Sequence, residues 1–315
     1  MQLGVDNGCV LCPRRCGRER PQGFCGAPAE PEVASVCVHT GEEPPLNPII
    51  NVFFAHCNLQ CVYCQNWQIS GRGAADGGCG TAMTVDAIAD HICTLATDHS
   101  PQTTSPLLGL VTAAHYASHI PSLVEAVHRR GLFPTVVYNS GGYERLETLR
   151  LLEGFVDIYL PDFKYMDASL AESYSHAPDY PKVATAAVRE MIRQVGLGLK
   201  TDDNGMAFRG IVVRHLVLPG HVGNSFRVLD TLSTLGVSSY APASLHLSLM
   251  AQYFPPRPGL PTPLDRTVSP EEYAAVTAYA AKLGFVRGWQ QELSSQDTYR
   301  PDFTRKGNPF NAATL

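Results

Sequence analysis

Ten cysteines in 315 residues carry most of the chemistry that this sequence can do, and seven of them fall in two groups. Cys57, Cys61 and Cys64 are spaced C-x3-C-x2-C; Cys9, Cys12, Cys16 and Cys25 are spaced C-x2-C-x3-C-x8-C. Thiolate is the ligand that soft metal centres take. Three thiolates on one loop suit a four-iron cluster whose fourth iron stays open to a small molecule. Structural zinc takes four ligands, usually as two C-x2-C pairs. Three incidental buried thiols are the plainer alternative. The N-terminal four suit tetrahedral zinc and an auxiliary iron–sulfur cluster alike, and four protein ligands leave no open position, which leans toward a structural metal. Cys37, Cys79 and Cys93 read as small buried hydrophobes, although Cys79, in a Gly-rich loop, is a candidate for oxidation.

The elements that must position these thiols follow from periodicity. An apolar run over 49–55 reads as a buried strand, which places Cys57, Cys61 and Cys64 on the loop leaving its end. From Thr84 onward, helical patterns alternate with short apolar runs at 107–112, 133–138, 156–160, 210–218 and 245–251. Thr84 and Ser225 read as helix starts, Gly131 as a stop, and Ser269-Pro270-Glu271-Glu272 as a capping box. Six strands alternating with six helices imply βαβ units and a parallel α/β sheet, open or closed into a barrel. Residues 8–26 have Gly and Pro but few apolar side chains, so a metal is the expected organiser of that arm. Its Arg14, Arg15, Arg18 and Arg20 suit a solvated face or a contact with an acidic partner. Glu42-Glu43-Pro44-Pro45 reads as an extended connector, 71–80 and 174–181 as loops, and 289–315 as an aperiodic tail that packs across the barrel or wraps a neighbour.

Composition narrows the field. The chain is 44% hydrophobic, enough for a substantial core, and 17% charged with a net charge of −5. That balance gives no electrostatic argument for nucleic acid or a membrane surface. No stretch approaches eighteen apolar residues, and the N-terminal residues lack a signal peptide's apolar core, so a cytoplasmic protein is the expectation.

C-x3-C-x2-C with Tyr63 before its last cysteine resembles the signature of the radical S-adenosylmethionine (radical SAM) enzymes. Cys-x-Leu-Cys-Pro-Arg-x-Cys, Glu-Glu-Pro-Pro, Cys-Val-Tyr-Cys-Gln-Asn, Val-Asp-Ile-Tyr-Leu-Pro-Asp-Phe-Lys-Tyr, Leu-Val-Leu-Pro-Gly and Tyr-Arg-Pro-Asp-Phe extend the likeness over almost the whole chain. Together they resemble the Cys-rich N-terminal, PflX-like proteins of the pyruvate formate-lyase activating type. The resemblance implies a partial (β/α)6 TIM-like barrel over 45–290, a Cys-rich metal-binding arm over 1–44 and a C-terminal extension over 291–315. It implies a [4Fe-4S] cluster on Cys57, Cys61 and Cys64 that binds S-adenosylmethionine (SAM) and cleaves it reductively. A reductant such as flavodoxin or ferredoxin is implied, and so is hydrogen abstraction from a glycine of a protein partner, from another peptide or from a small molecule. An electron carrier or redox sensor is the alternative of another class.

By the same resemblance, Asp162 and Lys164, a D-x-K after the fourth strand, are expected to hold SAM, with a surface ion pair as the plain alternative. Asn139 is a candidate for the ribose or methionine, and Arg214 for the SAM carboxylate or an ion pair inside the barrel. Where related enzymes carry Gly-Gly-Glu, this chain reads Val-Thr-Ala-Ala-His-Tyr, leaving Thr112 and His115 as substitutes. Gln252 and Tyr253 are candidates for the adenine pocket or for packing.

Overall fold

The computed structural model describes residues 8–71, 80–99, 105–235, 241–298, 300–305 and 307–310. Cys79, most of its Gly-rich loop and Tyr299 lie outside the described residues. The strands are β1 (Glu32–His39), β2 (Ile49–Phe54), β3 (Thr81–Ala82), β4 (Leu107–Val111), β5 (Thr135–Ser140), β6 (Ile158–Pro161), β7 (Leu199–Thr201), β8 (Ala207–Leu216), β9 (His246–Met250) and β10 (Arg287–Gln290). The helices are α1 (Trp67–Ser70), α2 (Val85–His99), α3 (Ile120–Arg129), α4 (Leu146–Leu151), α5 (Ala168–Ser175), α6 (Tyr180–Val195), α7 (Val222–Ser233), α8 (Ala241–Ser244), α9 (Pro270–Lys282) and α10 (Ser295–Thr298).

The sheet runs β10-β9-β8-β6-β5-β4-β2-β1-β3, with β7 paired to β8. Every pairing from β2 to β10 along this path is parallel, and β1 lies antiparallel on β2. The two ends do not pair, so this is an open α/β sheet of the partial-barrel kind. Parallel strands covered on both faces need continuous apolar sequence, and all five residues of β4 are buried. On α3, Ile120, Leu123, Val124 and Val127 form the buried stripe, and burying each such side chain contributes about 1.5–3 kcal/mol as an upper estimate. The capping box at Ser269 and Glu272 forms with both hydrogen bonds, and Ala87 N donates to the Thr84 hydroxyl. Among the described residues no helix is long and apolar enough to cross a membrane.

Five elements differ from expectation. β1 and β10 add strands at opposite ends of the path. The stretch 174–181, which reads as a loop, holds the end of α5 and the start of α6. Asp167 caps α5 through Ser169 N and Leu170 N. Ser225 does not open its helix: α7 starts at Val222, and the buried Ser225 hydroxyl lies 2.9 Å from His215 Nε2 instead. The prolines of the 42–45 connector exclude an α-helix but open one 3-10 turn, Pro44–Leu46.

At the start of the strands the barrel interior is plugged by Leu46, Ile49, Leu107, Ile158 and Val212. One layer further on, Asn51 faces Gly109, where a Cβ would lie 1.8 Å from Asn51 Oδ1. Glycine there leaves room for a polar side chain inside the barrel, and the interior beyond it is open.

Candidate functional site

A cavity of about 350 Å³ occupies this interior toward the C-terminal ends of the strands. Such ends are where parallel barrels carry their sites. Cys57, Cys61 and Cys64 line one side of it. Their loop is bent by two non-glycine residues in the left-handed region, His56 (φ 69) and Gln60 (φ 52). That conformation costs about 1–2 kcal/mol per residue and needs outside support. His56 N donates to Ile69 O (2.6 Å) and its ring pairs with Glu32 (2.8 Å). Gln60 Nε2 donates to Phe24 O (3.0 Å).

Donors point at the sulfurs. Leu59 N lies 3.4 Å from Cys57 Sγ, and Ser175 Oγ donates to Cys61 Sγ at 2.9 Å. A buried hydroxyl chain, Tyr63–Tyr165–Ser175 (2.6 and 2.8 Å), ends on that same sulfur. Burial, then the neighbouring sulfurs, pushes the Cys57 thiol up to about 12; the same two causes push Cys64 to about 11. Soft thiols with N–H and O–H donors behind them, opening onto one cavity, fit an iron–sulfur cluster. As the side chains stand, no group of three or more described His, Cys, Asp or Glu is arranged to hold a metal ion.

Cys9, Cys12, Cys16 and Cys25 line a second, much smaller pocket together with Asn58, the neighbour of Cys57. The arm is held by carbonyl contacts. Arg14 donates to Asn58 O (2.9 Å), Ser175 O (2.8 Å) and His176 O, and lies 3.8 Å above the Phe24 ring. Arg20 donates to Pro28 O (3.0 Å) and His115 O. These two arginines thus serve the arm's own docking, while Arg15 and Arg18 are exposed.

The D-x-K sits just past β6. Lys164 Nζ lies 2.6 Å from Asp162 Oδ2, and both line the cavity. The turn is fixed by Asp162 N on Ser140 O (2.8 Å), Phe163 N on Arg214 O (2.7 Å) and Lys164 N on the Tyr180 hydroxyl (2.9 Å). Burial, the largest single influence, would depress the lysine, but Asp162, Cys61 and Tyr180 together hold the ammonium well above its usual range. Asn139 and Thr112 also line the cavity, and Thr112 N donates to Asn139 O (2.9 Å). Thr112 is held at φ 59, strained for a β-branched residue, beside the cavity. Tyr63 lines the wall as well.

The floor is polar. Arg214 is bound edge-on by Glu43 (Nε–Oε1 2.9 Å, Nη2–Oε2 2.6 Å) and also touches Glu42. Asn51 Nδ2 donates to Glu42 Oε1 at 3.0 Å. Burial alone would depress the guanidinium, but the two carboxylates hold it well above its usual value. The ion pair expected of Arg214 is formed, and the side chain also lines the cavity. A chain of amides, Gln65–Gln252–Gln291 (2.9 and 2.7 Å), closes another side.

The structure brings Tyr63, Thr112, Asn139, Asp162, Lys164, Arg214 and the three cysteines around one cavity. It leaves His115 out: the ring is buried, its Nε2 lies 2.7 Å from Ala55 O, and it borders the N-terminal cysteine pocket. Tyr253 is packed away, its hydroxyl donating to Leu264 O (2.6 Å). Sequence reasoning missed His39, Glu42, Glu43, Gln65 and Gln291. Of these only the Glu-Glu-Pro-Pro motif carried a signal. The tail closes the rim: Pro301 and Phe310 line the cavity, and Phe303 packs edge-on against Phe53 at 5.3 Å.

No family model matches this chain. An uncharacterised protein of Methanocaldococcus jannaschii is 27% identical over 229 residues, covering 69% of this chain and 59% of that protein. Among solved structures, methylornithine synthase superposes with a TM-score of 0.50 at 15% identity, covering 82% of this chain and 65% of the other. A maturase of the [FeFe]-hydrogenase gives 0.47 at 12% identity, over 75% and 49%. The chain thus spans less than two thirds of the length of each. The likeness to methylornithine synthase is one of fold, in keeping with the open, partial-barrel α/β sheet described above.

Proposed function

We propose that this chain is a radical SAM enzyme. The observation that carries the reading is one cavity, at the C-terminal ends of parallel strands, lined jointly by Cys57, Cys61, Cys64, Asn139, Asp162 and Lys164. In this reading the three thiols hold a [4Fe-4S] cluster. When bound, the cluster and SAM supply reductive cleavage of a carbon–sulfur bond and a carbon radical that takes a hydrogen atom from the substrate. Asp162 and Lys164 orient SAM through its polar groups, and Asn139 and Thr112 complete the polar wall. Ser175 and Leu59 N tune the cluster through its sulfur ligands. The closed floor and the aromatic rim formed by Phe53, Phe303 and Phe310 keep water from the reacting atoms.

The N-terminal cysteines take a second metal, zinc or an auxiliary iron–sulfur cluster, in this reading. A cytoplasmic setting with flavodoxin or ferredoxin as reductant completes it. Abstraction from a glycine of a protein partner is the substrate that the sequence resemblance carries on its own.

The test is anaerobic reconstitution with iron and sulfide, reduction, addition of SAM and measurement of 5'-deoxyadenosine. A Cys57→Ala, Cys61→Ala, Cys64→Ala variant runs alongside. Product from the wild type alone supports the reading; equal product from both, or none from either, overturns it.

A further inference from the structure

Arg14 and Phe24 join the Cys-rich arm to the C-x3-C-x2-C loop, and each touches both sets of cysteines' neighbours. Arg14 lies between Cys12 and Cys16, and its backbone is hydrogen-bonded to the Cys12 thiol. Its guanidinium reaches the other side. It donates to Asn58 O (2.9 Å), next to Cys57, and to Ser175 O (2.8 Å) and His176 O at the end of α5. Phe24 repeats the arrangement. Its N donates to Cys16 Sγ (3.2 Å), its ring lies 3.8 Å from the Arg14 guanidinium, and its carbonyl accepts from Gln60 Nε2 (3.0 Å). Carbonyls at a helix C-terminus have no partner within the helix, so a cation that caps them fixes where the helix ends.

What is fixed there meets the cluster loop. Tyr174 O accepts from Val62 N (2.9 Å), and the buried Ser175 places its hydroxyl 2.9 Å from Cys61 Sγ. The guanidinium thus holds the backbone of the same residue whose hydroxyl meets the sulfur. A thiolate carries no proton, so Cys61 bound to iron only accepts, and the one proton of Ser175 points to the sulfur. Tyr165, 2.8 Å from the Ser175 oxygen, then donates to it. Adding one electron to a cluster puts negative charge on its sulfurs. An O–H aimed at one of them stabilises the reduced form more than the oxidised one. A hydrogen bond weakens steeply with misalignment, so the clamp on this backbone decides what the hydroxyl contributes.

We infer that Arg14 is a positioning residue for the cluster: it carries the state of the N-terminal thiols to the Ser175–Cys61 hydrogen bond and so sets how readily the cluster accepts its electron. The inference rests on the radical SAM reading for what Cys57, Cys61 and Cys64 hold. It goes beyond that reading in making the Cys-rich arm a regulator of the site. The step concerned is transfer of one electron from a low-potential external reductant to the cluster, with no bond made or broken.

The full-length protein, reconstituted with iron and sulfide, is titrated with dithionite and redox mediators while low-temperature EPR counts the reduced cluster. The signal followed is the one absent from the Cys57→Ala, Cys61→Ala, Cys64→Ala variant. Ser175→Ala is expected to lower the reduced-to-oxidised ratio at a set potential about tenfold, or about 59 mV for one electron. Arg14→Gln is expected to shift it severalfold in the same direction, and the double variant to match Ser175→Ala alone, since Arg14 acts through that hydroxyl. Cys12→Ser with Cys16→Ser, which replaces the sulfurs that the Arg14 and Phe24 backbones meet, is expected to act as Arg14→Gln does. Where Arg14→Gln fails to fold, Arg14→Lys takes its place, because an ammonium keeps the charge but cannot span three carbonyls. Amide hydrogen exchange reads the same coupling without a cluster: residues 57–64 and 171–177 should exchange severalfold faster in the Arg14 variant, and this decides the matter if no cluster forms. Shifts that add in the double variant, a potential equal to wild type in the Arg14 or the cysteine variant, or unchanged exchange overturns the inference. Formation of 5'-deoxyadenosine is followed separately. Product with a potential indifferent to Arg14 refutes this inference alone, and a potential that follows the cycle without product refutes only the radical SAM reading.

Discussion

Arg214→Met removes the cation that, among the described residues, touches two carboxylates that are 8% and 6% exposed. Breaking a buried ion pair from one side costs about 3–5 kcal/mol. The structure allows a finer figure. With Arg214 gone, Glu42 and Glu43 cannot both stay ionised in one buried floor, so one of them must hold a proton in the folded state. Against an unfolded value of about 4.3, holding that proton costs about 3.7 kcal/mol at pH 7 and about 1 kcal/mol at pH 5. The sign follows: this carboxyl is raised in the folded variant, so stability falls as pH rises above the unfolded value. The variant is therefore expected to lose about 4 kcal/mol at pH 7, a fall of roughly 8 °C or more in melting temperature, and much less at pH 5. Urea denaturation followed by circular dichroism at both pH values reads this directly. Adding Glu42→Gln and Glu43→Gln to Arg214→Met should restore most of the loss and flatten the pH dependence. A single variant within about 1 kcal/mol of wild type at pH 7, or with the same deficit at both pH values, refutes the reasoning.

Two further outcomes are expected. Glu144 is 2% exposed beside Ser140 and Tyr138, and burial outweighs their polar contacts and pushes it up to about 8. Wild-type stability should then fall as pH rises from about 4.3 to 8, and Glu144→Gln should flatten that window and gain roughly 2–3 kcal/mol at pH 7, read by thermal melts across pH. Gly109→Ala puts a Cβ 1.8 Å from Asn51 Oδ1, which must swing off Glu42. It should cost about 2–4 kcal/mol in urea denaturation, although Gly109 lies in a strand where alanine is otherwise tolerated.

The parts of the fold that repeat locally were legible. The apolar runs of β2, β4, β5, β6, β8 and β9, the stripes of α3 and α7 and the Ser269 box each carry their own signal. So does the C-x3-C-x2-C loop leaving β2, and Asp162 and Lys164 at the end of β6. What escaped is non-local. β10 has four mostly exposed residues and no apolar pattern, so only its neighbour β9 defines it. Glu42-Glu43-Pro44-Pro45 reads as a connector because nothing local says that it enters the barrel. Its partner Arg214 is more than 170 residues away. His115 looked like a substitute ligand by its position after β4, but its backbone turns the ring toward Ala55 O instead.

In the proposed function, Cys57, Cys61 and Cys64 hold a cluster with an iron open to SAM. Low-temperature EPR of the reduced, reconstituted protein before and after SAM addition tests it most directly. A four-iron signal is expected that is lost in the Cys57→Ala, Cys61→Ala, Cys64→Ala variant and whose g values shift when SAM binds. A signal that survives the triple substitution, or one that SAM leaves unchanged, would contradict it.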